Sequence, residues 1–180
     1  GIGIGAKHGI LIKNGEDLEK ACKIDTIVLD KTGTITTADL EVTDIILLDE
    51  NNPLVNSKDK LIEISAIAEK QSEHPLGKAI YEYAKDKLNK DIKYADKFEA
   101  VPGNGIAALI DEKSVVIGTK KFLIDNDISI LKAEQQIASL QKEGKTVVVV
   151  SIDKELAGVI AIADQIKESS KEAVERLKKL

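Results

Sequence analysis

Ile24-Asp25-Thr26-Ile27-Val28-Leu29-Asp30-Lys31-Thr32-Gly33-Thr34-Ile35-Thr36 is the stretch whose reading decides the fold. Thr26 to Leu29 is a short apolar, partly β-branched run of the kind that forms a strand buried on both faces of a parallel sheet. It ends in a carboxylate, Asp30, and then turns polar. Open α/β sheets collect their ligands at the carboxyl ends of strands, which is where this reading puts Asp30. Gly33 permits a tight turn, and the Thr32 and Thr34 hydroxyls and neighbouring amides could face a phosphate. A strand followed by an ordinary polar turn fits the same residues.

Composition narrows the class. The chain has 180 residues, 43% apolar and 32% charged, with a net charge of −5. That suffices for one large or two small packed domains. The negative balance, with Arg176 as the only arginine, gives no reason to expect a nucleic-acid partner. No apolar run reaches the length of a membrane span, and no signal peptide is present. Cys22 stands alone, fits a reducing compartment, and has no nearby ligand that would suggest a metal. Methionine is absent even at position 1, so the chain reads as a piece of a longer protein.

Upstream, Gly1-Ile2-Gly3-Ile4-Gly5-Ala6 imitates a dinucleotide fingerprint, but no strand precedes it and no clear helix follows. Glu16 to Lys23 reads as a short helix beside the sheet, with Leu18 and Ala21 inward. Downstream, Val42 to Leu48 reads as a strand and Asp49 to Pro53 as a turn. Ser57 caps a helix with Leu61, Ile64 and Ala68 on one face. A second helix starts at Pro75 and carries Leu76, Ala79, Ile80, Tyr83, Ala84 and Leu88. Between them lies Glu69-Lys70-Gln71-Ser72-Glu73-His74, where Glu69 and His74 could meet at one mouth; a surface histidine beside a capped helix is the bland alternative. Val101-Pro102-Gly103-Asn104-Gly105-Ile106 leads into a hairpin, Ile106 to Ile110 and Val115 to Gly118, turning at Asp111-Glu112-Lys113. Its glycines could be a simple turn. Lys120 to Ile124 and Ile130 to Leu140 read as helix, with Gly144 as a stop. Thr146 to Ile152 and Leu156 to Ala163 read as a hairpin. Ser169 or Ser170 could cap a last helix facing inward with Ala173, Val174, Leu177 and Leu180.

Two segments carry a resemblance. Asp30-Lys31-Thr32-Gly33-Thr34-Ile35-Thr36 resembles the phosphorylation signature of P-type ATPases. Ser72-Glu73-His74-Pro75-Leu76-Gly77 resembles the Ser-Glu-His-Pro signature of their heavy-metal-transporting, copper-type branch. The resemblance implies that Asp30 takes the γ-phosphoryl group of ATP as an aspartyl phosphate, within a catalytic set of Asp30, Lys31, Thr32 and Thr34. Asp30 and the Thr32 carbonyl would hold Mg²⁺. Soluble phosphatases of the haloacid dehalogenase superfamily carry a second Asp where this chain has Thr32; a residue unable to activate water suits a lasting phosphoenzyme. Glu69 and His74 would contact adenine, and Gly103, Gly105, Ile106 and Gly118 the rest of the nucleotide. The branch commonly has Asn after Gly118; Thr119 departs from it.

The implied fold is α/β: a partial haloacid-dehalogenase-like, Rossmann-type phosphorylation domain at 1–40 and 163–180, with Asp164 at the point of re-entry. An α+β nucleotide-binding domain, an antiparallel sheet flanked by helices, is inserted at 41–162. The Thr-Gly-Asp-Asn and Gly-Asp-Gly-x-Asn-Asp loops that complete such a platform do not occur in the chain. The implied partners are ATP, Mg²⁺ and the remainder of a pump (membrane helices, actuator domain, rest of the phosphorylation domain), at the cytoplasmic face of a membrane. Two other readings stay open: an ATP-binding module without turnover, and a soluble phosphatase.

Overall fold

A computed structural model describes residues 2–48 and 55–179. The turn expected at Asp49 to Pro53, and Leu180, lie outside them. One six-stranded antiparallel sheet dominates, in the order β1-β6-β5-β4-β3-β2. Its strands are β1 (Thr36–Leu47), β2 (Lys97–Val101), β3 (Gly105–Ile110), β4 (Lys113–Gly118), β5 (Thr146–Ile152) and β6 (Glu155–Ile166). The helices are α1 (Ile2–Lys7), α2 (Gly15–Ala21), α3 (Lys58–Glu69), α4 (Pro75–Leu88), α5 (Lys120–Asp125), α6 (Glu134–Lys142) and α7 (Glu168–Leu177).

Alternation along the strands explains the layers. Val148, Val150, Ile160 and Ile162 face one side and pack with Leu61, Ile62, Ala66 and Ile80 of α3 and α4. Val147, Val149, Val159 and Ala161 face the other and pack with Phe122, Leu123, Ile137 and Leu140 of α5 and α6. With both faces covered, β5 and β6 read as continuous apolar runs. Both hairpins close through pairs of left-handed residues, Asp111-Glu112 at φ 48° and 65° and Asp153-Lys154 at 50° and 67°. That geometry matches the twist of the flanking strands. Lys113 therefore belongs to β4 and not to the turn.

The expected α3 and α4 form with their expected starts: the Ser57 side chain accepts from the Lys60 N–H, and Pro75 opens α4. Other expectations are corrected. Thr26 to Leu29 is not a strand; it is irregular and exposed, with Val28 at 92%. A parallel strand needs hydrogen-bonded neighbours, and none of the described residues pairs with it. Ala21 is exposed and Leu18 only half-buried, since α2 has no sheet to lie against. A six-residue helix, α1, forms within the glycine-rich start. α7 starts after its N-cap residue, Lys167, without a side-chain cap, and the Ser170 hydroxyl donates instead to the Ile35 carbonyl (2.8 Å). Of its expected inner face, Val174 is half-buried while Ala173 and Leu177 are exposed. β2 was not expected; its pattern is weak because it is an edge strand with no buried residue.

Candidate functional site

The α3–α4 joint, the β2–β3 turn and the end of β4 enclose a cavity of about 420 Å³. Glu69, His74, Gly103, Gly105, Ile106 and Gly118 all line it, beside Ser72, Val101, Ile117, Thr119 and Val148. Residues from Glu69 to Val148, far apart in sequence, thus share one opening. Apolar walls with a few polar groups suit a flat heterocycle with a polar edge.

Glu69 is the last residue of α3 and is only 7% exposed. Burial pushes its carboxyl above the ordinary value, while a hydrogen bond from the Ser72 hydroxyl pulls the other way. Oε2 has no hydrogen-bond partner among the described residues. An unpaired buried acceptor is costly, and a donor from a ligand would relieve it. His74 is exposed and caps α4: its Nδ1 accepts from the Leu76 N–H at 3.2 Å. The neutral ring therefore carries its proton on Nε2, leaving that N–H as a free donor. Ser72 sits between the two, accepting from the His74 N–H at 3.3 Å.

Gly105 and Gly118 are partners across β3 and β4. A Cβ on Gly105 would lie 2.2 Å from the Ile117 carbonyl oxygen, and one on Gly118 2.5 Å from that of Asn104. Both glycines therefore serve close strand approach as well as lining the cavity. Gly103 differs: its φ of +75° favours glycine, but space around it is open. The Thr119 hydroxyl accepts from the Phe122 N–H (3.2 Å) and so caps α5.

Asp30, Lys31, Thr32 and Thr34 are exposed and do not line the cavity. Gly33 is left-handed at φ 76°, turning the loop sharply after Asp30. Buried Thr36 anchors this loop. Its one hydroxyl proton faces both the Lys31 carbonyl (3.1 Å) and the Asp164 carboxylate (3.2 Å), and its oxygen accepts from the Gly33 N–H (3.3 Å). The Lys167 ammonium donates to the Gly33 carbonyl at 2.6 Å. Gly118 pairs with Val149 and Val149 with Val159, whereas Thr36 pairs with Ile166. From Val159 to Ile166, β6 advances roughly 23 Å at the usual rise, so the loop and the cavity are far apart. No group of three or more His, Cys, Asp or Glu among the described residues could hold a metal. One carboxylate and one carbonyl match the sparse protein share that Mg²⁺ takes when phosphate and water complete its shell.

The family model for haloacid dehalogenase-like hydrolases matches residues 24–180, and the chain belongs to that family. Within it, the chain is similar along its length to copper-exporting P-type ATPases: 45% identical over 181 residues to that of Bacillus subtilis, and 41% over 178 residues to that of Staphylococcus aureus. It spans 22% and 21% of those proteins, about a fifth of their length. Among solved structures, a zinc-transporting PIB-type ATPase in the E2.Pi state superposes with a TM-score of 0.78 at 28% identity, covering 99% of this chain and 28% of that one. The N-domain of HMA6, a copper-transporting P-type ATPase, gives 0.53 at 26% identity, covering 69% of this chain and 99% of the other. No helix among the described residues is long and apolar enough to cross a membrane.

The sequence assigns no role to Ser72 or Gly77, which the fold brings against Glu69. The available signal was a glycine inside a helix, where the residue is a poor former and usually needs a reason.

Proposed function

We propose that the chain is the ATP-binding and phosphoryl-accepting part of a heavy-metal P-type ATPase of the copper-exporting kind. The observation that carries this is the convergence of Glu69, His74, Gly103, Gly105, Ile106 and Gly118 on one cavity. Adenine enters between the apolar walls, its exocyclic amine donating to Glu69 Oε2, with the His74 imidazole beside the ring. The glycine turns let the phosphates run along backbone. Asp30 is the acceptor of the γ-phosphoryl group, helped by Lys31 and Thr34, and Asp30 with the Thr32 carbonyl would hold Mg²⁺, which neutralises the transferring phosphate. The names of the relatives support the reading, and the HMA6 N-domain match supports a separate inserted unit at 41–162, between 1–40 and 163–180.

The separation along β6 requires the two units to close on each other. Ala38, left-handed at φ 66° in an irregular stretch of β1 between Thr36 and Leu40, supplies a hinge beside the Asp164–Ile166 end of β6. The same separation favours a second reading for the chain by itself: nucleotide binding without turnover. In the whole protein the partners are membrane helices and the remaining cytoplasmic domains, at the inner face of a membrane.

A calorimetric titration tests the reading. ATP should bind the 180-residue chain with a Kd of about 0.1–1 mM, since the cavity supplies little for the γ-phosphate. Glu69→Ala and His74→Ala should each weaken binding by roughly 1–2 kcal/mol, and Asp30→Asn should leave it unchanged. Unaltered affinity in both cavity variants, with folding intact, would refute the assignment. In the longer protein, Asp30→Asn should abolish a hydroxylamine-labile phosphoenzyme.

A further inference from the structure

Gly77 is the third residue of α4 and is buried, although glycine weakens a helix. The surroundings explain it. A Cβ built there would lie 2.4 Å from Glu69 Oε2, 2.8 Å from Ser72 Oγ and 2.9 Å from Ser72 Cβ. The missing methyl is therefore the space that the carboxylate and the serine occupy. Ser72, itself buried, holds the same assembly from the other side. Its N–H donates to the Glu69 carbonyl at 2.8 Å, its hydroxyl lies beside the Glu69 carboxyl and lowers its pKa, and its oxygen accepts from the His74 N–H. One small side chain thus ties together the two residues that meet the base. Glu69 lines the cavity, and its Oε2, shielded from solvent beside Gly77, has no hydrogen-bond partner among the described residues.

We propose that Ser72 and Gly77 are positioning residues that seat the Glu69 carboxylate as the acceptor for the 6-amino group of a purine nucleotide. This rests on the nucleotide reading of the cavity. Gly77 leaves the room and Ser72 sets the direction; together they make selectivity at the purine 6-position a property of the α3–α4 joint and not of Glu69 alone. In a Gly77→Ala chain the Oε2 contact falls on the far end of a flexible side chain, which can swing away, while the 2.9 Å contact to Ser72 Cβ makes the α3–α4 joint shift as well.

The test compares ATP with purine riboside triphosphate, which lacks the 6-amino group, in titrations of the 180-residue chain. Wild type should favour ATP by about tenfold, the worth of one hydrogen bond to a buried charged group. Gly77→Ala and Ser72→Ala should each reduce that ratio towards one, mainly by weakening ATP. A purely structural role would weaken both nucleotides by the same factor and keep the ratio, which overturns the proposal. If Gly77→Ala fails to fold, Ser72→Ala decides: a retained ratio overturns the proposal and a collapsed ratio supports it. A wild type that does not distinguish the two nucleotides would instead overturn the underlying placement of adenine against Glu69.

Discussion

At the level of one residue, substitution can separate the observed cap made by His74 from the base contact proposed for it. Its Nδ1 caps α4, so His74→Ala loses the cap as well as the proposed contact. The cap is worth about 0.5–1 kcal/mol of stability. His74→Asn restores a capping oxygen but cannot reach like an imidazole. We expect His74→Asn to melt at the wild-type temperature in circular dichroism while still binding ATP poorly, and His74→Ala to lose both. Glu69 allows a second prediction. Its folded carboxyl is raised above the ordinary 4.5 by burial, so the native state keeps the proton to higher pH than the unfolded chain does. That contribution to stability is fully present below 4.5 and is lost as pH rises through the folded value. Glu69→Gln should therefore melt above wild type at neutral pH, with the gap narrowing as the pH is brought down towards the unfolded carboxylate range. A constant gap across pH would mean that burial of charge is not what distinguishes them.

At the scale of elements, the site depends on how closely β3 and β4 approach. Gly105 and Gly118 face one another with no room for a side chain on either, and the nearest obstructing atoms are backbone. Backbone cannot swing aside as the Glu69 carboxylate can. Gly105→Ala should cost about 2–3 kcal/mol in urea unfolding through overpacking. Gly103→Ala meets open space and only the penalty of a left-handed alanine, about 1 kcal/mol. An equal cost for the two would contradict this account of the turn. Thr119 shows the same economy of use, since its hydroxyl starts α5 at the cavity edge.

Across the whole molecule, stability resides in the sheet and its four covering helices. Ile160 is fully buried between layers, whereas Val28 stands 92% exposed near the candidate nucleophile. Ile160→Ala should cost roughly 2–4 kcal/mol, but Val28→Lys should alter the stability of this chain by less than about 0.5 kcal/mol. Denaturant melts of both variants check the contrast; a large loss for Val28→Lys would show that residues 24–30 are packed after all. The loop after Asp30 is held by its own small network, through Thr36, Asp164, Lys167 and Ser170, at the far end of β1 and β6.

The sequence by itself determined what depends on local chemistry. Helices with Ser57 and Pro75 at their starts, the apolar runs of β5 and β6, and the two short signatures around Asp30 and His74 all follow from neighbouring residues, and all were legible. So was the list of cavity residues, although their meeting was an inference from resemblance. What tertiary structure decided was everything that needs a distant partner. Thr26 to Leu29 has the composition of a strand, yet a strand exists only where another offers its hydrogen bonds, and none of the described residues does. Edge strand β2 has too little burial to leave a pattern. Ser72 and Gly77 matter only because folding brings α4 against the end of α3, where an absent methyl group makes space for a carboxylate.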